Sequence, residues 1–143
     1  MDTLNKGYAT VLFIRADTDG TQILLQKKDR GYKSYPDHWT VFGGHIKPEE
    51  TELECLTREI KEELGLIYPP ESFSLFREIL IQKHDGDVPL KLYTADFNSN
   101  IHDIRVGEGC GFAFWYLDEV ANLKLIPHEI DLINGVIDSL KNL

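Results

Sequence analysis

Seven glutamates stand between Glu49 and Glu63, at positions 49, 50, 52, 54, 59, 62 and 63. Glu59, Glu62 and Glu63 have the i, i+3, i+4 spacing that gathers side chains on one flank of a helix. With Leu53 set at 0° and each residue advancing about 100°, Leu56, Ile60 and Leu64 fall at about 300°, 340° and 20°. The three glutamates fall at about 240°, 180° and 280°, beside that apolar stripe. Like charges so spaced repel by roughly 0.2–0.5 kcal/mol per pair. Two readings stand: a solvated acidic face, or a site for a hard cation such as Mg2+ or Mn2+, which prefers carboxylate, carbonyl and water oxygens. The flanks bear on the choice. Gly43-Gly44 lets the backbone bend tightly and present a carbonyl or N–H at the carboxylates. Arg58 can orient one of them through a charge-assisted hydrogen bond.

Charge limits what such a site can serve. Asp plus Glu number 24 against 15 Lys plus Arg, a net charge of −9. A field of that sign argues against a nucleic acid polymer, which needs clustered cations. A phosphate compound is still a fit if a divalent metal stands between the two sets of negative charge. The composition, 42% hydrophobic and 27% charged over 143 residues, is that of one globular domain, 1–143. Cys55 and Cys110 are too far apart in sequence for a C-x-x-C pair, so a reducing, cytoplasmic setting is expected. No apolar run reaches the roughly 20 residues of a membrane span, and the start shows no signal-peptide pattern.

The elements that must carry the glutamates follow from pattern. Tyr8 to Arg15 and Thr21 to Lys27 are β-branched and aliphatic runs about an Asp19-Gly20 hairpin signal. Asp29 to His38 is a polar loop, and Trp39 to Phe42 a short strand running into the glycine pair. A helix starts near Pro48, with Thr51 and Glu54 as a capping box and Gly65 as its stop. Ser72 to Gln82 and Val88 to Phe97 are two strands joined by a turn, and Phe112 to Leu117 is another. Asp118 to Leu123 is a short helix, and Pro127 to Leu140 an amphipathic one. Strands before, between and after helices give an α/β class with a mixed sheet and helices on its faces.

Gly44, Glu50 and the run Arg58-Glu59-Ile60-Lys61-Glu62-Glu63-Leu64-Gly65-Leu66 resemble a complete Nudix box, G-x5-E-x7-R-E-U-x-E-E-x-G-U, where U is a bulky aliphatic. All nine specified positions match within 23 residues. Trp39 to His45, Glu108-Gly109 with Phe114 to Val120, and Ile126-Pro127-His128 resemble segments that flank the box in this family. The resemblance implies an α/β/α sandwich with the box helix packed on a central mixed sheet. It implies hydrolysis of a nucleoside diphosphate linked to a group X, with Mg2+ or Mn2+ as cofactor. Glu59, Glu62 and Glu63 would be metal ligands, aided by the Gly43 carbonyl. Glu59, or a residue outside the box, would deprotonate the attacking water. Arg58 would hold Glu59, and Glu50 would pair with Arg58 or support the metal's surroundings.

Outside the box, Glu108 in the glycine-rich loop 107–111 is either a further ligand or base, or a solvated loop acid. Lys27, Lys28, Arg30 and Lys33 form a basic island, either steering substrate phosphates or simply solvated. Trp39, like Tyr32, Tyr35 and Phe112, is a candidate to stack on a base. His45 and His128 are candidates to line the pocket. Neither the proline of ADP-ribose hydrolases nor the tyrosine of diadenosine polyphosphate hydrolases stands at its usual distance past the box. The remaining preference is a nucleoside triphosphate, oxidised or not, cleaved to monophosphate and pyrophosphate. A nucleotide sugar or another dinucleotide is the alternative, and a non-catalytic nucleotide sensor is the rival from a different class. The expected partner is a small nucleotide, with no membrane; small members of the family are often homodimers.

Overall fold

The computed structural model describes residues 5–107 and 111–142. Strands β1 (Tyr8–Asp17) and β2 (Gly20–Lys27) form the expected hairpin. They are followed by β3 (Trp39–Thr40), β4 (Phe42–His45) and helix α1 (Glu52–Leu64). A second hairpin, β5 (Ser74–Lys83) and β6 (Gly86–Asp96), precedes β7 (Gly111–Tyr116) and helix α2 (Pro127–Lys141). The sheet runs β3-β2-β1-β6-β5, with β4 also paired to β1 and β7 to β2. The β1–β6 pairing is parallel and the others antiparallel, so the sheet is mixed.

Alternation along β1 and β2 fills both faces. Val11, Phe13 and Leu24 join Leu56, Ile60 and Leu64 of α1 in one core layer. Leu12, Ile23 and Leu25 join Leu132, Ile133 and Val136 of α2 in the other. The result is an α/β/α sandwich. Each fully buried Leu or Ile contributes roughly 1.5–3 kcal/mol, so the α1 stripe fixes the rotation of its helix. Cys55 is fully enclosed in the same layer. Its thiol is pushed up to about 12 by burial and then by the charge of Glu50.

Three boundaries differ from expectation for physical reasons. The strand at Trp39 to Phe42 is two strands, because the chain changes partner at Val41: Thr40 pairs with Gln26 of β2, and Phe42 with Val11 of β1. Helix α1 starts at Glu52, not near Pro48. Thr51 is its cap, accepting from the Glu54 N–H at 3.2 Å while Glu54 accepts from the Thr51 N–H at 2.8 Å. The short helix after β7 is a 3-10 helix, Leu117–Asn122. Gly65 ends α1 at φ 69°, a left-handed turn that glycine adopts without strain. No helix among the described residues is long and apolar enough to cross a membrane.

Candidate active site

A cleft of about 450 Å3 opens between α1, the switch from β3 to β4, the loop after β2 and the start of α2. Glu59 and Glu63 line one wall, on the flank of α1 that lies next to its buried stripe. The glycine pair sets how close that flank can come. A Cβ on Gly44 would fall 2.4 Å from Oε1 of Glu59, so the carboxylate occupies space that only glycine leaves. Gly43 has φ 130°, and a Cβ there would meet the Ala9 carbonyl oxygen at 2.2 Å. That bend lets the Gly43 N–H donate to Oε1 of Glu63 at 2.9 Å. Gln26, on β2, donates to Oε2 of the same carboxylate at 3.0 Å and to the Val41 carbonyl at 3.1 Å. Glu63 is therefore clamped from two strands.

Arg58 organises the back of this wall. Its guanidinium donates to Glu50 at 2.6 and 3.0 Å, to Glu59 at 2.9 Å and to the His45 carbonyl at 3.2 Å. The bond from Arg58, against the opposing cost of burial, holds the Glu50 carboxyl at about 2. The same contacts push the Arg58 pKa further up. Glu62 also reaches Arg58, at 3.3 Å, but its side chain is 57% exposed and it does not line the cleft. The three glutamates that share a flank in sequence thus divide, two toward the cleft and one toward solvent.

The facing wall carries Lys28, Lys83, His128 and Glu129. Glu129 lies on the buried side of α2 and is 4% exposed. Both its oxygens are 2.8 Å from the Thr40 hydroxyl, and Oε1 accepts from the Val41 N–H at 3.2 Å. A hydroxyl has one proton to donate, so a protonated carboxyl satisfies both short contacts. Burial, outweighing these bonds and the pull of Lys28, raises the group to about 7. His128 is shifted down by burial, then by Lys83 and Lys28.

Of the residues singled out in the sequence, Gly43, Glu59, Glu63, Lys28 and His128 meet at the cleft, as do Lys27, Tyr32 and Tyr35, with Arg58 and Glu50 behind them. Arg30 points to solvent and pairs with Asp37 at 3.4 Å. Trp39 packs edge-on against Trp115 at 5.1 Å rather than on the cleft. His45 is turned to Asn5, at 2.9 Å, and to the edge of Tyr8. Glu108 lies outside the described residues. Gln26, Thr40, Lys83 and Glu129 were not anticipated as site residues. A signal for Glu129 was present: with Leu132, Ile133 and Val136 it keeps the i, i+3, i+4, i+7 spacing of a buried stripe.

Among the described residues no group of three or more His, Cys, Asp or Glu side chains could hold a metal ion. The wall offers two carboxylates, one seated on a glycine and one clamped by two N–H groups. That donor set suits Mg2+, which keeps several waters and takes one or two carboxylates together with substrate phosphates.

The NUDIX domain family model matches residues 6–130. The nucleoside triphosphatase NudI of Escherichia coli (strain K12) is 30% identical over 102 residues, covering 71% of this chain and 67% of NudI. The m7GpppN-mRNA hydrolase NUDT17 of Danio rerio is 29% identical over 70 residues, 49% of this chain. The chain spans only 23% of that protein's length. Among solved structures, the NUDIX domain of Shewanella oneidensis NrtR complexed with ADP ribose superposes with a TM-score of 0.78 at 15% identity. That match covers 97% of this chain and 90% of the other, and it shows the shared fold. With its matched box, its sandwich and a model match across most of its length, the chain belongs to the NUDIX domain family.

Proposed function

We propose that this chain hydrolyses a nucleoside diphosphate linked to a group X, with a nucleoside triphosphate cleaved to monophosphate and pyrophosphate as the preferred case. The observation that carries the reading is the placement of Glu59 and Glu63 on one cleft wall, pressed against the Gly43-Gly44 bend. A cleft of about 450 Å3 is within the usual range for small-molecule sites. Glu59 and Glu63 would hold Mg2+ or Mn2+ with the Gly43 carbonyl; Glu62, which the box also implies as a ligand, is turned to Arg58 and solvent and would have to swing in. Such a cation, when bound, neutralises the diphosphate and orients the attacking water.

The chain's own groups set the rest. Arg58, 2.9 Å from Glu59, keeps that carboxylate aimed, able to accept the water's proton or to support the cation. Glu50 holds Arg58 in turn at 2.6 Å, so that the guanidinium does not swing away with a substrate phosphate. The Gly43 N–H and Gln26 restrict Glu63 to one orientation. Similarity to NudI supports the triphosphate over a nucleotide sugar or another dinucleotide. The intact box supports catalysis over nucleotide sensing.

The test is a phosphate-release screen with Mg2+ and with Mn2+ over nucleoside triphosphates, oxidised ones included, nucleotide sugars, ADP-ribose and dinucleoside polyphosphates. Each is run with and without inorganic pyrophosphatase. Metal-dependent release from triphosphates that requires the pyrophosphatase is the expected result. Nucleotide binding without turnover of any class would move the assignment to a sensor.

A further inference from the structure

Lys28 follows β2, Lys83 ends β5 and His128 is the second residue of α2, yet all three face one end of the cleft. The charges of both ammoniums reach His128, where they disfavour a proton. Among the described residues neither lysine has a carboxylate within ion-pair distance, in a chain with 24 acids against 15 Lys plus Arg. Lys91 and Lys141, by contrast, are both paired with acids.

What holds the two ammoniums leaves their charge intact. Lys28 Nζ donates to the Ser34 carbonyl and sits 5.1 Å from the Tyr32 ring centre. Lys83 Nζ is 5.3 Å from the ring centre of Tyr8. Carbonyl and π-face contacts position a cation without neutralising it. Glu129, whose charge reaches Lys28 and whose Oε2 lies 3.8 Å from His128 Nε2, is directed at Thr40 and Val41, and burial raises it to about 7. Partial burial also lowers the pKa of Lys28, a cost that a bound anion would offset.

We propose that Lys28, Lys83 and His128 form an anion-binding pole that takes a phosphoryl group lying beyond the diphosphate held at the Glu59–Glu63 wall. Both sets of groups line one cleft, so a single ligand can meet them. A polyphosphate chain offers charge to both, whereas a diphosphate joined to a neutral group would leave the cationic pole facing no charge. The assignment of the two ends to one substrate rests on the hydrolase reading above; the anion pole itself does not.

Inorganic tripolyphosphate, titrated by calorimetry into the metal-free protein, tests it without any turnover. The wild type is expected to bind. Lys28→Gln and Lys83→Gln should each weaken binding about tenfold. Lys83→Arg should retain it, and Lys124→Gln, removing an equal charge from exposed surface elsewhere, should leave it unchanged. No binding by the wild type, full binding by Lys28→Gln or Lys83→Gln, or an equal loss in Lys124→Gln would each overturn the pole. Tripolyphosphate binding lost in Lys83→Gln by a protein silent in the hydrolysis screen would overturn the hydrolase reading and leave the pole standing. Hydrolysis with no such binding would do the reverse.

Discussion

The wall that carries Glu59 and Glu63 is built largely within 21 residues, from Gly43 to Glu63, with Gln26 reaching in from β2, whereas the facing wall draws Lys28, Lys83 and His128 from segments 100 residues apart. On the first wall each carboxylate is held by hydrogen bonds of 2.9–3.0 Å, from Arg58, the Gly43 N–H and Gln26. On the second, the ammoniums rest on a carbonyl and on aromatic faces. Chemistry at a reacting atom needs fixed groups, because small misplacements cost much of the rate. Holding a flexible anion needs charge more than precise direction. On the proposed function, the two walls match those different tolerances.

The largest effect that separates them is on turnover. Glu63→Gln keeps the volume and one acceptor but removes the charge, and is expected to lower turnover about 100-fold or more while the circular dichroism spectrum is preserved. A rate near that of the wild type would remove the acid wall from the reaction.

The glycine pair sharpens the same point within the first wall, since its two members do different work. Gly43→Ala meets backbone at 2.2 Å and sits at φ 130°, so it should cost on the order of 2 kcal/mol or more in stability, read by thermal unfolding. Gly44→Ala meets only the Glu59 carboxylate, which can swing aside. It should unfold close to the wild type yet turn over about tenfold more slowly. Equal losses of stability in both would mean that Gly44 serves the fold rather than Glu59.

The difference between the walls also explains what could be read from the sequence. The acid wall was legible because one helix and a tight bend place it, and the 100° advance locates Glu59 and Glu63 beside Leu56, Ile60 and Leu64. The same advance puts Glu62 at about 180°, opposite Ile60, and its side chain is turned to Arg58 and solvent. The cationic wall was legible only in part: Lys28 and His128 were candidates, but what brings Lys83 to them is sheet order. Lys83 reaches the cleft only through the β1–β6 and β6–β5 pairings, which no local pattern announces. Trp39 and His45 were taken by neighbours, Trp115 and Asn5, that lie far away in sequence. The sandwich itself was legible, because alternation in β1 and the stripes of α1 and α2 all name a buried face.

A smaller effect concerns the support of the acid wall. Glu50 loses its proton at about 2 in the fold, below the 4.5 of an ordinary glutamate, chiefly through the Arg58 bond. Its contribution is therefore complete above about pH 4.5 and disappears as pH falls toward 2. Glu50→Gln should cost about 2 kcal/mol at pH 7, allowing for solvent at the pair, and nothing near pH 2. Urea midpoints at the two pH values check this, and an equal cost at both would mean that the charge of Glu50 is not what holds Arg58.

The smallest effect has the opposite sign and belongs to the facing wall. Glu129 takes up a proton at about 7 in the fold, against 4.5 when exposed. Between those values the folded chain binds more protons than the unfolded one, so this group makes stability fall as pH rises. His128 works against it: its lowered pKa means the fold disfavours the imidazolium, so its share of stability grows as pH rises toward 6.5. Lys28 stays charged across this range and contributes no slope of its own. Glu129→Gln retains a carbonyl to accept from Val41 and Thr40, removes the titrating proton and leaves His128 in place. Stability should then rise more steeply, or fall less, between pH 4.5 and 7 than in the wild type. Identical slopes would mean that Glu129 is ionised throughout, and the cationic wall would then carry a full internal counter-charge.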